Sequence, residues 1–265
     1  MPFPDSKRVI YEKNPLEQVI CQLRFPPVLK IETDLPASFQ DAIRREYPLF
    51  EERQDGPDFP REISQQLSRE LARFLSKNAP SRKTYSFTSL DRNWTVTLER
   101  DSFALTANRY ETWEEFIEHF KIPYESLLKE YTPALFSRVG LRYQNVIQPS
   151  RLGIINVDWS ELLQPHIAGI LGDHDVGKSV SNTTQTVEIK LQNSYGTVKI
   201  RHGLVKQVST EEDCYLIDSD FAIESIKESE NVLERLGKYN RRAGRLFRWC
   251  IKPKLHTAME PRDIE

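Results

Sequence analysis

Three groups of residues have the types and spacing that chemistry requires. The first is Gly172-Asp-His-Asp-Val-Gly177-Lys178-Ser179, which satisfies the G-x-x-x-x-G-K-S phosphate-loop pattern letter for letter. A working phosphate loop has a buried strand before it and a helix after it, so that backbone N–H groups and the helix N-terminus meet the phosphate oxygens. Here the run 181–186 is polar and leads into an alternating strand, and Asp173 and Asp175 put carboxylates where anionic oxygens must sit. This context favours a chance match in a loop and leaves a nucleotide-binding enzyme, using Gly172, Gly177, Lys178 and Ser179, as a secondary alternative.

The second group is basic: Lys238, Arg241, Arg242, Arg245, Arg248 and Lys252, with no acidic residue among them. At helical spacing Arg241, Arg245, Arg248 and Lys252 share one face, which suits nucleic-acid phosphates or an ordinary solvated surface paired with Glu211, Glu212 and Asp213. The third group is Arg24, Arg138 and Arg142, joined by Gln22, Gln144 and Asn145. Residues 138–148 alternate, with Val139, Leu141, Tyr143 and Ile147 on one side and Arg138, Arg142 and Gln144 on the other; residues 17–25 repeat the pattern. Arginines on a sheet face demand partners. Either Glu17, Asp218 or Asp220 pairs with them, or an anionic ligand enters from outside.

Catalysis finds little support. His119, His166, His174, His202 and His256 lack metal-ligand spacing, no serine sits in a G-x-S-x-G elbow, and Asp218-Ser-Asp220 alone is a thin metal motif. No catalytic residue, metal or cofactor is assigned. Cys21, Cys214 and Cys250 are odd in number and unpaired in spacing, which reads as reduced structural thiols in a reducing compartment. The opening residues lack an apolar signal core, and no run approaches the roughly 18 apolar residues of a membrane helix, so a cytoplasmic, non-membrane protein is expected. With a formal charge of −2, attraction to polyanions has to come from a local patch.

The elements that must position these groups follow from periodicity. Residues 1–13 read as an extended arm. Ser38 is placed as the cap of a helix over 39–47, residues 51–61 read as a loop, and Ile63, Leu67, Leu71, Phe74 and Leu75 form one helical face. Residues 84–110 change to a period of two and give an antiparallel meander of three strands. Thr112 opens a helix through residue 131, interrupted at Pro123, with Trp113, Phe116, Ile117, Phe120, Leu127 and Leu128 pointing inward. Further strands are expected over 186–191, from Val198 and over 215–223, and an amphipathic helix over 229–250.

The fold class is therefore α+β: curved antiparallel sheets packed on long helices, with room for two similar halves, each of strands followed by a helix. The boundaries are an N-terminal half over 14–148, an irregular connector over 149–185 and a C-terminal half over 186–260.

The opening Asn14-Pro-Leu-Glu-Gln-Val-Ile-Cys-Gln-Leu-Arg-Phe25, the stretch Arg138-Val-Gly-Leu-Arg-Tyr-Gln-Asn145, and Leu216-Ile-Asp-Ser-Asp-Phe221 ahead of a long terminal helix together resemble a sporadically distributed family of uncharacterised bacterial proteins. The resemblance spans most of the chain and carries no assigned activity, cofactor or catalytic residue. Its patchy occurrence is compatible with phage defence or toxin–antitoxin pairs. The expectation is a non-catalytic binding protein that recognises a partner protein or an anionic ligand. Nucleic-acid binding through the last helix is the alternative, and the amphipathic character of that helix raises a homodimer.

Overall fold

Strands Leu16–Arg24 (β2) and Phe136–Ile147 (β7) lie side by side, antiparallel, in the middle of one sheet. The computed structural model describes residues 2–55, 82–192, 195–207, 209–226 and 231–263. Alternation dictates the two faces. Val19, Cys21 and Leu23 of β2 and Val139, Leu141 and Ile147 of β7 are buried on one side, while the polar positions point to the other.

Around this pair the sheet grows outward in both directions. On one side come Leu49–Asp55 (β3), Arg82–Thr88 (β4), Trp94–Glu99 (β5) and Ser102–Ala107 (β6); on the other, Thr184–Lys190 (β8), Thr197–Lys206 (β9) and Asp213–Ile226 (β10). The order is β3-β4-β5-β6-β2-β7-β10-β9-β8, antiparallel throughout. The two halves share an order: a first strand, a stretch holding short helices (Leu29–Thr33, α1, and Ala37–Ile43, α2, in one; Pro149–Leu152, α4, Trp159–Leu162, α5, and Pro165–Ala168, α6, in the other), a meander whose last strand returns beside the first, then a long helix. Leu23-Arg24-Phe25 in one half matches Leu141-Arg142-Tyr143 in the other. The halves share a single sheet, joined where β2 meets β7.

The helices cover the apolar face. Trp113–Tyr131 (α3) sets Phe116 against Trp94 and Phe120 against Phe103, and Phe39 of Ala37–Ile43 (α2) lies against Phe87. Helix Val232–Cys250 (α7) packs on β7 and β10, with Tyr239 against Phe221. Both long helices are capped as their sequences require: Thr112 accepts from Glu115 N–H, and Asn231 from Glu234 N–H.

Several local expectations change. Ser38 lies inside α2, whose N-cap is Pro36. That helix stops at Ile43, and Tyr47 beyond it does separate work. Pro123 does not interrupt α3: proline removes the donor to the carbonyl four residues earlier, His119, and the Tyr47 hydroxyl donates to that oxygen at 2.8 Å instead. Leu128 faces outward. Residues 49–55 form β3 rather than the start of a loop, and the helical face expected at Ile63 to Leu75 lies outside the described residues. The N-terminal arm is docked: Val9–Tyr11 (β1) pairs with Pro261–Asp263 (β11), and Phe3 is buried against Trp249. No described helix is long and apolar enough to cross a membrane.

His202 is buried in the core, its Nδ1 at 2.8 Å from the Tyr215 hydroxyl, which donates to the Ile167 carbonyl. Burial pulls the pKa of His202 below the ordinary imidazole value, and burial does the same to His166 and His256. The unfolded chain therefore takes up protons first as pH falls. This contribution to stability is complete above the unfolded value of about 6.5 and is lost as pH drops through it. The melting temperature should fall between about pH 7 and pH 5.5, and His202→Gln should flatten that fall; an unchanged slope in the variant would remove His202 from the account.

Candidate functional site: a neutralised arginine face and a basic cleft

The polar side of the sheet brings the sequence-predicted arginines together, and their partners come with them. Arg142 donates from Nε and Nη2 to the two carboxylate oxygens of Asp218 at 2.8 and 2.6 Å. Arg138 donates from Nη2 to both oxygens of Asp220 at 2.8 and 2.7 Å, and from Nη1 to Gln22 Oε1 at 3.1 Å. Asp218 and Asp220 lie on β10, where Asp218 faces Gln144 and Arg201 and Asp220 faces Arg142 and Lys199. A column of carboxylates thus stands between two cationic strands. Asp218 is 7% exposed, so losing its pair with Arg142 strands a buried charge, which costs more than losing an exposed ion pair.

Gly140 makes the Arg138 contact possible. Arg138 faces Arg24 across the strand pair, an unfavourable neighbour, and its guanidinium lies over Gly140; a Cβ there would stand 2.3 Å from Nη1. A lone glycine inside an alternating strand was the readable signal of that close approach. Arg24 is exposed and has no ion pair among the described residues.

The basic helix is distributed differently from its expected stripe. Lys252 is off the helix, which ends at Cys250; its Nζ donates to the Ser160 carbonyl at 2.6 Å. Lys238 pairs with Glu234 at 2.5 Å, and Arg242 is buried with its guanidinium 4.0 Å from the centre of the Tyr195 ring. The acidic loop serves other groups, with Glu212 accepting from Ser150 and Gln148 and Asp213 from Lys206. Arg241, Arg245 and Arg248 form one wall of a cleft of about 290 Å³.

The N-terminal arm, the start of β2 and the N-terminus of α3 complete this cleft. Lys7, Arg8, Arg241, Arg245 and Arg248 line it, against the single carboxylate of Glu111. Arg8 forms a two-bond pair with Glu114 at 2.9 and 2.6 Å, and Arg245 meets Asp5 of the arm at 2.6 Å. Arg241 is exposed, with no ion pair among the described residues, and Arg248 lies beside the Tyr11 hydroxyl with a buried Nη1 that has no hydrogen-bond partner there. Behind them the Tyr110 and Tyr143 hydroxyls both donate to Asn240 Oδ1, at 3.2 and 2.9 Å. Burial pushes both phenols upward in pKa, so they stay donors, and Asn240 keeps its amide N–H groups for other acceptors. The sequence pointed to the arm at residues 1–13 but not to its place in a cleft, and it did not single out Tyr110 or Asn240. A mid-helix asparagine, a poor helix former, was the one available signal.

The remaining motifs do not form sites of the expected kind. Short helical turns flank the phosphate-loop match, Gly169–Gly172 ending on its first residue and Gly177–Ser179 forming its last three, where a strand and a helix are required. Asp173 accepts from the N–H groups of Asp175 and Val176, and Lys178 meets Asp158 at 3.1 Å. Burial raises all three thiols, Cys214 to about 11, which removes thiolate chemistry near neutral pH. Among the described residues no group of three His, Cys, Asp or Glu side chains could hold a metal ion.

Fold and site together define an α+β protein with an internally paired sheet face and a donor-rich cleft. No protein-family model matches the chain, and no curated protein matches it.

Two outcomes follow from the paired face. Arg142→Ala leaves the more buried Asp218 unpaired, whereas Asp218→Ala leaves an arginine free to turn into water. The first should cost about 2–4 kcal/mol and the second about 1–2 kcal/mol in urea unfolding. Gly140→Val should displace the Arg138 guanidinium and cost about 1–3 kcal/mol, and the same change should cost far less in an Arg138→Ala background. Equal costs in both backgrounds would separate Gly140 from Arg138.

Proposed function

We propose that this is a non-catalytic binding protein that takes a small anionic ligand into the cleft between α7 and the N-terminal arm. The observation that carries the reading is the lining: donors and cations predominate, Asp263, Glu114 and Asp5 meet Lys7, Arg8 and Arg245, and Arg241 stays exposed without an ion pair among the described residues, with Arg248 one helical repeat further along. A volume of about 290 Å³ lies at the small end of ligand cavities and suits one small molecule better than a polymer. The alternative of nucleic acid along α7 is weakened because Arg245 and Lys252 are engaged within the chain. The apolar face of α7 is spent on its own sheet, which removes the argument for a homodimer made from that helix. A protein partner or a second copy has separate support in the exposed Leu35 and in Phe50 on β3, which is the outer strand of the sheet among the described residues.

The same reading places the protein in the cytoplasm, supported by three buried, unbridged cysteines. It also keeps the resemblance to the sporadically distributed bacterial family, supported by the meeting of its three motifs on the adjacent strands β2, β7 and β10.

The test is calorimetric titration and thermal melting with inorganic phosphate and small carboxylates. A ligand at a hundred times its Kd should add about 2.7 kcal/mol of stability, and Arg241→Glu should abolish the effect. Gel retention of DNA or RNA at physiological salt, lost in the same variant, would instead establish the polymer reading.

A further inference from the structure

Arg248 follows Arg241 by seven positions, so both project from the same side of α7 with Cα atoms about 10 Å apart along the axis. Between them the charge is cancelled, because Arg245 is met by Asp5. Along α7 the cleft therefore has two cationic poles and a neutral middle, floored by Tyr143 and Phe247, while Lys7 and Arg8 on the arm are met by Asp263 and Glu114.

Gly244 sits in that middle. Glycine is among the poorest helix formers, and the helix carries two: a Cβ at Gly237 would touch Trp113, whereas Gly244 lies on the cleft side. Neither close packing nor backbone conformation requires it: a Cβ at this position would meet nothing within 4 Å, and the residue has ordinary helical geometry. What the missing side chain leaves is room in the cleft that Gly244 lines.

We infer that the cleft takes an elongated dianion, with an oxyanion group at each end and an apolar spacer between them. Arg241 with the Asn240 amide holds one end, Arg248 holds the other, and the spacer passes over Gly244. This inference rests on the proposed function and specifies its ligand class. Carboxylate and phosphate ends share the required chemistry, since each presents acceptors to guanidinium donors.

The experiment is titration of the full chain with linear α,ω-dicarboxylates of increasing length and with the matching bisphosphonates, using monocarboxylates and inorganic phosphate as controls. In one of the two series affinity should rise to an optimum at intermediate length, at least tenfold above the matching monoanion, and fall on either side. Arg241→Gln and Arg248→Gln should each return binding to the monoanion level and erase the optimum. Gly244→Leu should fill the middle of the cleft and reduce dianion binding at least tenfold while raising the melting temperature, which separates loss of the site from loss of the fold. Binding of monoanions as tight as that of any dianion, or unaltered binding in Gly244→Leu, would overturn the inference and leave a simple anion site standing. Absence of binding by every probe would overturn the proposed function with it.

Discussion

Asp218 and Asp220 on β10 hold the centre of this protein together. Two successive outward-facing positions of one strand carry carboxylates, and the strands on either side answer with Arg138 and Arg142 from β7 and Lys199 and Arg201 from β9. Because β7 belongs to the first half of the chain and β10 to the second, these pairs tie the halves across the sheet. Hydrophobic burial on the opposite face drives the association, being non-directional and proportional to area. The charge pattern adds register: slipping β10 by one residue would carry both carboxylates into the apolar core. Removing one partner strands a charge at the middle of the sheet, which makes any other alignment costly.

The same neutralisation decides where recognition can occur. An arginine whose hydrogen-bonding edge is filled by a carboxylate has little left for a ligand, so the most conspicuous cations of the sequence are structural. The cleft follows different rules. Its walls come from the N-terminal arm, β2, α3 and α7, and the arm is fixed by the β1–β11 pair, by Phe3 on Trp249 and by Asp5 on Arg245. A helix face that alone would be a solvated surface becomes one side of a concave site. The tyrosine pair on Asn240 then turns its amide into a source of donors.

Tertiary contacts also replace what local chemistry removes. Pro123 deletes a helical hydrogen bond, and the Tyr47 hydroxyl, from a segment more than seventy residues away, supplies the missing donor. Gly140 gives up a side chain on the open face, and the Arg138 guanidinium occupies that space. In both places a residue that looks like a defect along the chain is the counterpart of a group brought in from elsewhere.

Strand periodicity, helix caps and the antiparallel meander were legible in the sequence because each depends on neighbours within a few residues: the alternation of β2 and β7, Thr112 at the head of α3, and the apolar stripe of α7. The pairing of Arg138 and Arg142 was half legible, since the cost of unpaired charge required partners and Asp218 and Asp220 stood among the candidates. The sequence could not say that Lys252 leaves the helix, that residues 49–55 form a strand paired with β4, or that the arm folds back over α7. Those outcomes depend on which distant surfaces meet. A cleft is a relation between segments far apart in the chain, and its donors, its volume and its open middle at Gly244 exist only once the sheet has set those segments in place.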